Sequence, residues 1–419
     1  MKKFQELWIG LNRLDRGALF VFTTMLFTFT LANMDHSFFG YAVPGIIKEF
    51  DTGIDTIGYI LTISFIFAAF TNLAMGLLAD KYGRKTIIVF CLASSAAFIG
   101  LHTFANSILT LGILRAFGFA LSNAVQPIAS SYIAEASPPR IRGLMVGLFA
   151  CGFPMGAFIA GMISVPLLSY YGWRSIFLIA FLVIPMAFII GKFLPESQSF
   201  IDIKNNNQKE ETSWKEKIKE LFGKKYRRKC ILCMLAFFCF GGPYAGTAFF
   251  FPTFFNEVRG YSDSESAAII GLAYGIGIIG YISSAVVGEF FLTRRNTTII
   301  WCWLGTLSLL CLIWIPDTIA EDIFWFGLMS MFFYGMGSVI TAMIIELFPT
   351  RLRATGAALA GTFGLNLGFA IYPILVSKTV SIYGWQWAFT ITVVPTLFLS
   401  GVILLGIENR ASGLKLEDD

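Results

Sequence analysis

Apolar runs long enough to cross a bilayer recur along almost the whole chain, and few folds are open to a chain built this way. A spanning helix needs roughly 20 apolar residues. Such runs lie near 17–47, 56–79, 86–104, 108–134, 142–168, 173–193, 230–256, 265–290, 297–315, 321–347, 354–380 and 385–406, twelve in all. They take up most of the 419 residues and leave no sizeable soluble domain. Only 14% of residues are charged, where soluble domains carry about 25%. In hydrocarbon every backbone polar group must be bonded within its own segment, so the expectation is an all-α integral membrane protein of twelve transmembrane helices. The start, MKKFQELWIGLNRLDRG, is amphipathic and runs into a segment too long for a signal-peptide core, so it is expected to be retained.

Charge then orients the segments. Basic residues collect at Lys81, Arg84 and Lys85, at Arg140 and Arg142, at Arg294 and Arg295, at Arg351 and Arg353, and most densely from Lys215 to Lys229. The alternate connections carry Asp51 and Asp55, Asp263 and Glu265, and Asp317, Glu321 and Asp322. The Lys/Arg bias places both termini and the long loop 195–229 in the cytoplasm, in a plasma membrane of the bacterial inner-membrane type. It also accounts for the basic loop without a nucleic-acid partner. That loop runs from PESQSF through the polar KNNNQKEETS to the amphipathic KEKIKELFGKKYRRK, which reads as a helix on the membrane surface. It divides the chain into a six-segment bundle, 1–194, a linker, 195–229, and a second six-segment bundle, 230–419. Cys230 and Cys233 form a C-x-x-C on an apolar segment without a second pair, and there are only 2 histidines. No metal, no cofactor and no enzymatic nucleophile–base set is expected.

The two bundles are related. Glu135-x-x-Pro138-x-Arg140-x-Arg142 recurs as Glu346-x-x-Pro349-x-Arg351-x-Arg353, an offset of 211 (346 minus 135). Tyr171-Gly172-Trp173 with Phe177 recurs as Tyr383-Gly384-Trp385 with Phe389, an offset of 212 (383 minus 171). The basic turn GLLADKYGRK, Gly76 to Lys85, has a degraded copy in GEFFLTRRN, with Gly288 at the position of Gly76 and Leu292 at that of Asp80. The offset spans six segments, so both copies keep one orientation. Parallel six-helix halves are one architecture of secondary transporters.

On these residues the chain resembles the major facilitator superfamily over nearly its full length. GLLADKYGRK matches that family's G-x-L-a-D-r-x-G-r-k loop between the second and third helices. Within the superfamily it is similar to the metabolite:proton symporters, especially the aromatic-acid and sialate branches. The residues concerned are Asp35 with Gly40 and Pro44, Arg115 with Pro127, Gly152-Phe153-Pro154 with Gly156, Pro195-Glu196-Ser197, and ELFPTRLRATG from Glu346, a stretch shared with sugar porters. It departs from the aromatic-acid branch at Ala32, where a second acid is usual, and at GFALSN, which replaces a Gly-rich run after Arg115.

Several residues stand out as carriers of function. Asp35 sits mid-segment, where an ionisable group usually marks a substrate or ion path, and Thr24 and Thr28 share its face. It is the candidate proton-coupling site, against a structural ion-pair role. His36 points about 100° further round the helix and reads as a neutral hydrogen-bonded residue or a pH sensor. Arg115 has a planar fork that suits carboxylates, and Ser122 and Gln126 follow on its face. The resemblance adds a role for this arginine in proton coupling. Candidate substrate contacts are Phe39, Ser122, Gln126, Tyr244, Tyr274, Tyr334 and Asn366. Gly76, Asp80, Gly83, Arg84, Glu135, Arg140, Glu346 and Arg351 are the candidate gating set, their ion pairs breaking and re-forming as the halves rock. Because Leu292 has no charge where Asp80 has one, Asp80→Asn is expected to impair transport far more than any substitution at Leu292, as read by uptake rates in proteoliposomes.

The resulting expectation is a secondary transporter with a central site open alternately to each side. Its partners would be a small-molecule substrate, protons and the lipid bilayer, acting as a monomer. Proton-coupled uptake of a small carboxylated metabolite is the leading activity. The alternative is a proton-driven antiporter exporting a drug-like or siderophore-like compound.

Overall fold

The computed structural model describes residues 15–138, 141–197, 214–349 and 352–409. They form a helical bundle. Its first half comprises α1 (Arg16–Phe50), α2 (Ile54–Tyr82), α3 (Arg84–Phe104), α4 (Ile108–Ala136), α5 (Arg142–Tyr171) and α6 (Trp173–Phe193). A short linker helix, Trp214–Leu221, precedes the second half. That half comprises α7a (Arg227–Ala245), α7b (Phe251–Arg259), α8 (Asp263–Phe291), α9 (Arg294–Trp314), α10 (Ile319–Ile344), α11 (Ala357–Tyr383) and α12 (Trp385–Leu405).

Among the described residues 11 helices are long and apolar enough to cross a membrane, one fewer than the segments counted in the sequence. The difference is the segment near 230–256, which is broken. Gly241 and Gly242 let α7a press against α11, where a Cβ on Gly242 would run into the Tyr372 ring. The chain leaves the helix at Gly246 and turns through Phe250 before α7b begins with Pro252 in its first turn. Pro is well tolerated in a first turn, whose N–H groups have no intrahelical partner.

Side-chain caps set several of the other helix starts. Asp15 accepts from the Ala18 N–H at 2.6 Å. Ser107 accepts from Thr110, Thr293 from Asn296 and Thr318 from Glu321. Ser262 and Glu265 form a reciprocal capping box at α8. Gly83, between α2 and α3, has φ of 102°, a region that favours glycine, so the tight turn in GLLADKYGRK depends on it.

The halves meet mainly along α5 with α8 and along α2 with α11. These two seams correspond to each other under a shift of six helices. Small residues let the backbones approach: a Cβ on Gly161 would lie 2.7 Å from the Gly271 Cα. The end of the bundle with acidic connections is tied by repeated contacts. Trp173 Nε1 donates to Glu49 at 2.7 Å in the first half, and Trp385 Nε1 donates to Glu257 at 2.6 Å in the second. Arg174 adds an ion pair to Glu49 at 2.6 Å, where the second half has Gln386. The repeated Tyr-Gly-Trp is therefore a bolt from the start of α6 or α12 to the end of α1 or α7b. A hydrogen bond to a charged group contributes about 1.5–3 kcal/mol. Trp385→Phe is expected to lose stability of that order in thermal unfolding, whereas Trp387→Phe, at an exposed position, is expected to be near neutral.

Candidate functional site

A small cleft lies between the halves, toward the acidic-loop end. α1 supplies His36, Ser37, Gly40 and Tyr41, while α7a, α7b and the turn joining them supply Tyr244, Ala248, Phe249 and Pro252. Ile270 and Tyr274 of α8 close the third side. Behind this lining, Tyr334 stacks on Tyr274 with ring centroids 5.5 Å apart, and Phe153 packs edge-on against Tyr244 at 5.5 Å. A π-helical turn, Ser330–Tyr334, ends at this tyrosine. Such turns often mark functional sites.

Arg115 lies beside the cleft, only 1% exposed, without a carboxylate partner among the described residues. Its guanidinium sits over Phe39 at 4.4 Å, Phe119 at 4.8 Å and Phe249 at 5.2 Å. Nη1 donates to the His36 carbonyl at 3.4 Å, while Nε and Nη2 have no hydrogen-bond partner. The His36 ring packs between Phe119 at 4.7 Å and Phe249 at 5.0 Å, and its Nε2 is likewise unpartnered. Three positions around one cation thus come from the first half and one from the second.

Asp35 is fully buried, and neither carboxylate oxygen has a hydrogen-bond partner. It does not line the cleft, whereas its neighbour His36 does. About 100° of helix separates the two, and His36 reaches the seam, where its ring packs against Phe249. Of the expected substrate contacts, the structure brings Phe39, Tyr244, Tyr274 and Tyr334 to the cleft or its immediate backing. It does not bring Ser122, whose hydroxyl donates to the Ala32 carbonyl at 2.7 Å, or Asn366, which is half-buried on α11. Gln126 shares a face with Arg115 and Ser122 but is exposed. Exposure therefore rises along that face toward the basic-loop end. His36, Tyr41 and Phe249 escaped the sequence reading as contacts. Ser37, Gly40 and Tyr41, at i, i+3 and i+4 beside His36, are the available signal.

At the basic-loop end, Arg84 pairs with Glu135, and Ser197 Oγ donates to the other Glu135 oxygen at 2.6 Å. Glu196 accepts from the Lys85 N–H at 3.2 Å, and Tyr132 donates to the Pro195 carbonyl. GLLADKYGRK and Pro195-Glu196-Ser197 are thereby one cluster within the first half. Contacts across the seam at this end use other residues: Ser338 Oγ donates to the Gly147 carbonyl at 2.9 Å, and the Arg294 guanidinium lies against Gly143. Gly76 faces open space. Arg140, Arg351 and the side chains of Asp80 and Glu346 lie outside the described residues.

Two helical halves, a polar cleft on their seam and a caged cation beside it define a membrane transport protein. The sequence profile of the Major Facilitator Superfamily matches residues 25–364, and the chain belongs to that family. It is 24% identical over 418 residues to the niacin transporter NiaP of Acinetobacter baylyi, covering 91% of this chain and 92% of that protein. It is 27% identical over 372 residues to the sialic acid transporter NanX of Escherichia coli, covering 87% of each. In fold it matches a bacterial homologue of the human lysosomal transporter Spinster, with a TM-score of 0.68 at 17% identity over 93% of this chain and 95% of that one. The protein is a multi-pass membrane transporter and not an enzyme.

Proposed function

We propose that this chain imports a small carboxylated metabolite together with protons. The observation that carries the reading is Arg115, a buried guanidinium beside the cleft with two nitrogens unbonded. A buried polar group left unsatisfied is costly, and a carboxylate offers a planar, bidentate match to this one. The names of the two relatives point the same way, since niacin and sialic acid are both carboxylic acids. Asp35 takes the coupling proton, and the aromatic lining of Tyr244 and Tyr274 holds the body of the substrate. Arg84 and Glu135 belong to the inner gate, with Asp80, Arg140, Glu346 and Arg351 as its further charges. The protein works as a monomer in a bacterial inner membrane with the basic-loop end in the cytoplasm.

The test is counterflow in proteoliposomes with a panel of carboxylates, each paired with its neutral amide. Exchange of an acid but not of its amide supports the reading. Accumulation driven by an acidic exterior supports symport. Accumulation outside the vesicle against an acidic exterior assigns the protein to antiport, and exchange of cations alone removes Arg115 from the substrate site.

A further inference from the structure

Phe249 is the one ring of the Arg115 cage that comes from the second half, and it sits in the turn that breaks the seventh helix. It is 2% exposed and touches first-half groups on several sides, with Phe65 at 5.9 Å as well as His36 and Arg115. A ring face balances part of the charge of a guanidinium but is a far weaker hydrogen-bond acceptor than a carboxylate oxygen. Arg115 Nε, Arg115 Nη2 and His36 Nε2 are accordingly all left without partners around this one ring. Buried polar groups are nearly always bonded, so three orphans in one place mark a site that some other group satisfies.

We propose that Phe249 is a resident competitor of the substrate: its ring covers an anion subsite made by Arg115 and His36, and a carboxylate takes that subsite when the second half withdraws the ring. This rests on the carboxylate reading above and adds His36 as a substrate contact and Phe249 as the residue that must leave. Ring and carboxylate exclude each other. Withdrawing Phe249 also parts it from Phe65 in α2, so filling the subsite and loosening the seam at the acidic-loop end are one event. Gly40 lies against the Phe249 backbone, which leaves the turn room to slide past α1.

The test reads His36 directly. The chain has 2 histidines, so peptide mapping after diethyl pyrocarbonate treatment of the full-length protein separates His36 from His102. Phe249→Ala is expected to raise the initial labelling rate of His36 roughly tenfold, because loss of the ring uncovers Nε2, and to leave His102 unchanged. Benzoate should then protect His36 in the variant, and benzamide should not. Phe249→Leu, which keeps the bulk without the ring, should label at an intermediate rate and serves if the alanine variant does not fold. An unchanged rate at His36 in both variants overturns the lid. Faster labelling with no benzoate protection, or with equal protection by benzamide, overturns the anion subsite. Benzoate need not be a transported substrate for this readout, so a failure of proton-driven uptake leaves the labelling result intact.

Discussion

The Asp35→Asn variant is expected to lose proton-driven accumulation while keeping both its fold and its exchange activity. Each pH unit across the membrane is about 1.4 kcal/mol per coupled proton, a factor of ten in substrate gradient. With one proton per cycle, a gradient of two pH units should let the native protein accumulate substrate roughly a hundredfold, and the variant not at all. The stability arm of the experiment separates this role from the rival one. If Asp35 were half of a structural ion pair, removing its charge would strand the partner and cost about 3–5 kcal/mol. The structure shows no such partner: both oxygens are buried and unbonded among the described residues. An ionised carboxylate in that setting is expensive, so the neutral isostere should fold at least as well. Retained accumulation at native level, or a large drop in unfolding temperature, would remove Asp35 from the coupling mechanism.

Hydropathy exposed the helices because a bilayer imposes length and apolarity on each segment separately, and the repeat exposed the two related halves because Tyr-Gly-Trp and Glu-x-x-Pro-x-Arg survive in both. The break in the seventh helix was hidden, since Gly-Gly-Pro followed by aromatic residues scores as apolar as an unbroken span. The partners of the repeated tryptophans were hidden as well. Glu49 and Glu257 are 208 apart (257 minus 49) while their tryptophans are 212 apart, so no fixed offset links them. Helical periodicity sets Arg115, Ser122 and Gln126 on one face, but a face is not an environment. Along it lie a caged cation, a hydroxyl spent on a neighbouring backbone and an exposed amide. Phe249 was one of 44 phenylalanines, and only tertiary structure brings it across the seam to a first-half arginine.

Arg115 carries the second large expectation, because there charge and shape can be separated. Arg115→Gln removes the cation and should raise the Kd for a transported carboxylate by about 30-fold or more, the scale of at least 2 kcal/mol for losing one member of a buried charge pair. The corresponding amide, which never made the pair, should lose little. Arg115→Lys is the sharper variant. It keeps the charge but substitutes a compact, strongly hydrated ammonium for a plane that lies over three rings. The rings of Phe39, Phe119 and Phe249 can stack on guanidinium but cannot solvate an ammonium as water does. The lysine variant should therefore bind the carboxylate nearly as poorly as the glutamine variant. If Arg115 instead acts only through its charge, lysine should restore most of the affinity for the acid, with the amide again changing little. Isothermal titration of both ligands against the three proteins distinguishes these outcomes, with thermal unfolding run alongside to show that each variant is folded. Lysine rescue would place the arginine's function in its charge alone and would leave the planar, hydrogen-bonded carboxylate without its recognition group.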